Sequence, residues 1–219
     1  MRSTSLTRFT IVSVLGALLA GMAGPPAAEA QAKHKMAMIL PGPIQDADFN
    51  ALGYAALQEV AKAHGIEVSH SESVAVADAE RVSREYITSG YTIVAYHGGQ
   101  YPTIMRKLAT QFPNVAFIQE ASGRMPDPPA NAWVIGRKFY QGFYVLGTLA
   151  ALATKTNKVG LVGGVRLPDV ISSTNAVHQA LRDHNAKAEL LYNFIGDFND
   201  PVKARQTAEA QIAAGADFL

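Results

Sequence analysis

Five apolar residues in a row, Met36-Ala37-Met38-Ile39-Leu40, set the first constraint on the fold. A strand with one wet face alternates apolar and polar residues, and this run does not alternate. It fits a strand covered on both faces, as in a parallel sheet with helices above and below. Pro41-Gly42-Pro43 then forces a turn, because proline cannot donate to a ladder. Asp46 or Asp48 is suited to cap a helix. From Phe49 the apolar positions Phe49, Leu52, Ala56 and Val60 recur at helical spacing, and Gly65 suits the stop. The sequence thus predicts strand, long loop and helix over Met36–Gly65. In open α/β sheets ligands sit beyond the carboxyl ends of strands, on such loops. Asp46, Asp48, Phe49 and Asn50 bring acceptors, an aromatic ring and an amide together there. A capped helix with a hydrophobic staple accounts for the same residues.

Upstream, Met1–Ala30 reads as a secretory signal. Arg2 and Arg8 form a basic start, Ile11–Ala20 is an apolar stretch too short to span a bilayer, and Ala28-Glu29-Ala30 is a cleavage motif. Cleavage is expected after Ala30, with Ala30-Gln31-Ala32 as a second such motif. The chain has no cysteine, so a lipobox, a disulfide and a thiolate-bound metal are all outside its chemistry. The expected localisation is the periplasm, without a lipid anchor. Removing Arg2, Arg8 and Glu29 leaves 17 basic and 17 acidic residues. A neutral chain argues against nucleic acid or an anionic membrane as partner, since either favours a basic patch.

Downstream, the pattern predicts strands at Ile66–His70, Tyr91–Tyr96, Val115–Gln119 and Ala132–Gly136. Helices are expected at Asp78–Ser89, with Ala79, Val82 and Ile87 inward, and at Tyr101–Phe112. His97-Gly98-Gly99-Gln100 follows the third strand, Glu120 lies just past the fourth, and Gly123–Pro129 is a proline-rich loop. Alternating strands and helices imply a parallel sheet. The pattern then restarts. Phe139–Thr154 is an apolar helix whose Gly142 and Gly147 permit close packing, and Val159–Val162 is a strand ending in Gly163-Gly164. Pro168–His184 reads as a helix, Glu189–Asn193 as a strand, and Pro201–Ala214 as a helix with Pro201 at its first position. Asp217-Phe218-Leu219 begins a strand. An open three-residue strand is a poor terminus for a sheet, so the second lobe is expected to be incomplete.

These blocks carry a resemblance. Gly42–Gly65, with its Asp46-Ala47-Asp48-Phe49-Asn50 segment, is similar to the start of the basic membrane protein (BMP) family. These are PnrA-like substrate-binding proteins of ABC transporters. The likeness continues through Ser89–Gly99, Tyr140–Gly164 and Ile195–Asp217, in order and at family spacing. It implies an α/β fold of the type 1 periplasmic-binding-protein architecture, in which parallel sheets flanked by helices form two lobes and a ligand closes the cleft between them. The expected lobes are residues 33–136 and an incomplete 137–219, with the crossing near Arg137-Lys138. The resemblance further implies a purine nucleoside, or another small polar ligand, delivered to a membrane permease. In the resembling receptors a flat base lies between aromatic rings, with carboxylates and amides on the sugar and base edges.

Carried over position by position, Asp46, Phe49 and Asn50 map onto the first-strand loop. Glu120 falls where better-studied nucleoside receptors have aspartate, and Asp48 where many members have serine or glycine. His97 and Gly98 are cleft candidates by position. Such binding needs no nucleophile, cofactor or metal, so no enzyme activity is expected. The alternative is an exported α/β hydrolase-like or nucleoside-processing enzyme. His97-Gly98-Gly99 resembles the oxyanion loop of some esterases, but no G-x-S-x-G elbow accompanies it. Ser172-Ser173 falls near a helix start, where capping is the common role. No phosphate-binding G-x-x-x-x-G-K-[ST] occurs, and the six histidines include no H-E-x-x-H or i, i+4 pair. A sugar-repressor-type regulator shares this architecture, but the chain shows no N-terminal helix-turn-helix pattern.

Overall fold

The computed structural model describes residues 34–46, 48–121 and 125–219. The signal expected over Met1–Ala30 lies outside the described residues, as do Gly123 and Arg124 of the proline-rich loop. The elements run β1 (Lys35–Ile39), α1 (Phe49–His64), β2 (Glu67–Ser71), α2 (Val76–Thr88), β3 (Ile93–Tyr96), α3 (Pro102–Gln111), β4 (Ala116–Ala121) and β5 (Ala132–Gly136). They continue with α4 (Phe139–Ala153), β6 (Lys158–Gly163), α5 (Pro168–His184), β7 (Glu189–Phe194) and α6 (Pro201–Ala213). The first five strands form one parallel sheet in the order β2-β1-β3-β4-β5. A second parallel pair joins β6 to β7. On the other side of β6, Val159 bridges Phe218, and the Gly160 N–H donates to the Phe218 carbonyl at 2.7 Å.

The unbroken apolar run of β1 is explained by the two layers around it. Met36, Met38 and Leu40 face one side with Ala95 of β3 and Leu57 of α1. Ile39 faces the other with Val94, Tyr96, Phe117, Ala79 of α2 and Met105 and Leu108 of α3. Alternate side chains point to opposite faces, so a strand between two helical layers must be apolar at every position. Val82 and Ile87 pack against the second cluster, as the sequence predicts. Tyr96 is buried in that cluster. Its hydroxyl bonds the Ser83 hydroxyl at 2.7 Å, and Ser83 in turn donates to the Ala79 carbonyl at 2.6 Å.

Several local expectations are corrected. On α1 the buried positions are Asn50, Gly53 and Leu57, while Leu52 is 57% exposed and Ala56 is also exposed. The helix is rotated so that Gly53 meets His97: a β-carbon there would lie 2.8 Å from the imidazole. A row through a glycine gives little apolar signal, and the neighbouring Leu52 row looks inward by sequence. Strand β4 extends through Glu120 and Ala121, because Glu120 pairs in register with Ile135 of β5. Strands β4 and β5 are joined without a helix among the described residues, so alternation breaks there. Gly147 is a point of close packing, with Val177 Cα 2.9 Å from where its β-carbon would stand, whereas Gly142 faces open space. Ser172 and Ser173 lie inside α5 and do not cap it. The Ser172 hydroxyl donates to the Asp169 carbonyl at 2.8 Å.

The strand order places a topological switch point between β1 and β3, whose following connections leave toward opposite faces. A crevice opens at the carboxyl ends of such neighbours. The residues after β1 and after β3 stand there.

Candidate functional site

The loop after β1 is held by two side chains. Asp48 occupies the capping position of α1 but makes no side-chain cap bond. Asp46 does the capping from two residues earlier. Its Oδ2 accepts from the backbone N–H of Asn50 at 2.9 Å and its Oδ1 from that of Ala51 at 2.9 Å. The Asn50 side-chain amide also donates to Asp46 Oδ2 at 2.7 Å, while Asn50 Oδ1 accepts from the Gly42 N–H at 3.2 Å. Partial burial works to raise the Asp46 pKa, but the N–H donors of Asn50 and Ala51 outweigh it, and the net shift is downward. Asp46 and Asn50 thus tie the Gly42 end of the loop to the start of α1.

His97 follows β3 directly and is 7% exposed. Its Nε2 lies 2.7 Å from the Phe49 carbonyl, which can only accept, so Nε2 carries the proton. The two rings lie with centroids 4.2 Å apart, tilted by 36°. Burial lowers the His97 pKa and nearby Arg137 adds to this. The bond to Phe49 and the charge of Asp46 oppose it, and the net shift is downward, which keeps the ring neutral. Its Nδ1 stands 3.2 Å from Glu120 Oε2, a buried oxygen with no hydrogen-bond partner among the described residues. Glu120 Oε1 takes the Arg137 Nε at 2.8 Å. Burial pushes the Glu120 carboxyl up, and Asp169 across the cleft adds repulsion. Arg137 pulls it down, and the net shift is upward. Gly98, with φ at 133°, turns the chain in a region side chains rarely adopt, and its carbonyl accepts from buried Gln119 at 2.8 Å.

Asp46, Asp48, Phe49, Asn50, Gly98 and Glu120 line a single cleft of about 880 Å³. His97 stands behind Phe49 and Glu120 rather than on its wall. The opposite wall comes from the second sheet and its helices, through Phe139, Phe143, Asp169, Ser173, Thr174, Asp197, Phe198 and Asn199. The sequence reading placed none of these eight in the cleft. A signal for three of them exists: Asp48-Phe49-Asn50, which opens α1 after β1, recurs as Asp197-Phe198-Asn199 in the connection between β7 and α6. The two tripeptides face one cleft from its two sides. At its rim the sides come close, and a β-carbon on Gly42 would lie 3.3 Å from Asn199 Nδ2.

Five carboxylates and four phenylalanines line the cleft, and no lysine, arginine or histidine is among its described lining residues. The described residues hold no group of three or more metal-ligating side chains. The chemistry on offer is stacking against apolar rings, with acceptors for hydroxyl and ring N–H groups.

A family model described as "ABC transporter substrate-binding protein PnrA-like" matches residues 33–219. The chain belongs to this PnrA-like (BMP) family. A purine-binding protein of Brucella abortus is 29% identical over 95% of this chain and 58% of its own length. A solute-binding protein of an ABC transporter system from Conexibacter woesei is 29% identical over 84% of this chain and 61% of its own, with a TM-score of 0.60. One from Aeropyrum pernix, 18% identical over 84% of this chain and 53% of its own, superposes with a TM-score of 0.74 and supports the fold alone. This PnrA-like chain thus spans about three-fifths of the length of the first two of these proteins and about half of the third. Its architecture is the type 1 periplasmic-binding-protein fold. The family is one of substrate-binding proteins rather than enzymes. No helix of the described residues is long and apolar enough to cross a membrane.

Proposed function

We propose that this chain belongs to an exported receptor that captures a purine nucleoside in the cleft and delivers it to an ABC permease. In this reading residues 1–30 are a signal peptide removed on export. Residues 33–136 and 137–219 belong to two lobes that close on the ligand. The observation that carries the proposal is the pair of facing Asp-Phe-Asn tripeptides, with Phe49 and Phe198 on opposite walls of one cleft. Two aromatic rings across a cleft suit a flat base. Glu120 and Asp169, on opposite walls and close enough to repel, suit the hydroxyls and N–H groups of a neutral ligand. A phosphate would meet five carboxylates and no cation among the described lining residues, so a nucleoside is favoured over its nucleotide. The purine-binding relative supports the base class.

The test is titration calorimetry of the full chain with inosine, guanosine, adenosine, adenine, adenosine monophosphate and glucose. Mass spectrometry identifies any ligand that co-purifies. Nucleosides should bind, and the monophosphate should bind about ten-fold or more weakly. Equal affinity for the monophosphate, or binding of glucose alone, would overturn the proposal. Conversion of a bound nucleoside to base and sugar would favour the enzyme reading instead. Export is tested by the intact mass of periplasmic material, which should begin at Gln31.

A further inference from the structure

We infer that Arg137, in the connection between β5 and α4, is the positioning residue of the cleft, setting the state of Glu120 and the seating of Phe49 and Phe139. The inference rests on the cleft being the ligand site. Arg137 is not one of the cleft's lining residues, and the sequence marks it only as the crossing between the expected lobes.

Three groups from three elements meet on its guanidinium. The Arg137 Nε lies 2.8 Å from Glu120 Oε1, on β4. The Arg137 Cζ stands 5.1 Å from the ring centroid of Phe49, at the start of α1, and 5.6 Å from that of Phe139, at the start of α4. A guanidinium is flat and can lie against rings while its edge donates to a carboxylate. A lysine ammonium can satisfy the charge but not the stacked geometry. The Arg137 side chain is 37% exposed and that of Glu120 only 12%. The arginine therefore keeps much of its hydration while its charge acts on a buried carboxylate.

The consequence for the cleft lies in which Glu120 oxygen is left over. Oε1 is committed to Arg137. Oε2 is buried and has no hydrogen-bond partner among the described residues, and it stands 3.2 Å from the Nδ1 of His97, whose other nitrogen already donates to the Phe49 carbonyl. A neutral His97 presents a lone pair to that oxygen, so among the described residues nothing at Oε2 stabilises an ionised Glu120, and a ligand donor would. The charged groups around this pair are Arg137, Asp169 of α5, and Asp46 before α1. Of these, only Arg137 favours the ionised carboxylate of Glu120. Removing it raises the pH at which Glu120 becomes an acceptor and frees the rings of Phe49 and Phe139 to turn.

The experiment uses the full chain and its Arg137→Met, Arg137→Lys and Glu120→Gln variants, with inosine as probe. Arg137→Met should weaken inosine binding about ten- to a hundred-fold, and Arg137→Lys should recover only part of that. In ligand-free protein, carbon-13 NMR should show the Glu120 carboxyl titrating at higher pH in Arg137→Met than in the parent, and near the parent value in Arg137→Lys. The acid limb of inosine binding should move up in parallel. In the Glu120→Gln background Arg137→Met should cost less, because the charge it serves is gone. Unchanged affinity in Arg137→Met would overturn the inference. So would weakened affinity with an unmoved Glu120 titration and additive double-variant losses. If the parent does not bind inosine, the ligand reading fails alone, and the ligand-free titration still decides whether Arg137 sets Glu120.

Discussion

Asp46 and Asn50 are joined twice, since the Asp46 Oδ2 accepts from both the backbone and the side-chain N–H of Asn50, at 2.9 and 2.7 Å. The pair that the family resemblance marks for ligand is also the pair that caps α1 and holds its loop. Asp46→Ala should cost about 1–2 kcal/mol of stability, as loss of a good cap does, and Asp46→Asn less. The Asp46 pKa is lowered by folding, so its contribution is present above the ordinary aspartate value of 3.8 and is lost as pH falls through the lower folded value. Urea melts of parent and Asp46→Ala should therefore differ at neutral pH and converge in acid.

Phe49 and Phe198 separate binding from stability. Phe49 packs against His97, whereas Phe198 is 54% exposed. Each alanine variant should weaken nucleoside binding by about 1–3 kcal/mol. Phe198→Ala should change folding stability by no more than about 0.5 kcal/mol, as exposed substitutions do. Phe49→Ala should also lower stability, because His97 loses its ring neighbour. Calorimetry beside urea melts reads both, and normal nucleoside affinity in both variants would remove the rings from the site.

Gly147 and Gly142 lie on the same helix and should respond oppositely to alanine. At Gly147 a methyl group would stand 2.9 Å from the backbone of Val177, which cannot yield as a side chain can. That variant should lose about 1–3 kcal/mol through overpacking. Gly142 faces open space, so alanine there should gain about 0.5–1 kcal/mol from helix propensity. Thermal melts distinguish the two.

Tyr96 and Ser83 form a buried hydroxyl pair in which Ser83 donates to Ala79, so Tyr96 donates to Ser83. Ser83→Ala strands the phenol and should cost about 1–3 kcal/mol, while Tyr96→Phe, which leaves the Ser83 bond intact, should cost about 1 kcal/mol. Burial pushes the Tyr96 phenol up to about 12. In a near-ultraviolet alkaline titration, Tyr96→Phe should remove one late-ionising step and leave that of buried Tyr101, whose phenol burial pushes up further still.

The residues Met36–Leu40 alone settled that β1 is covered on both faces, because side-chain alternation is a property of the strand itself. Ends of elements were legible for the same local reason: Gly65 adopts φ 61° and stops α1, and Pro168 and Pro201 open α5 and α6. The resemblance gathered Asp46, Phe49, Asn50 and Glu120 near the carboxyl ends of β1 and β4. Which face of α1 turns inward was decided only in three dimensions, since Gly53 is buried by the imidazole of His97, 44 residues along the chain. The far wall of the cleft and the meeting of Arg137 with Glu120, Phe49 and Phe139 were likewise beyond sequence periodicity. Local pattern encodes which face of an element is apolar. It does not encode which residues from separate elements converge, because that depends on strand order and on how the two sheets face each other.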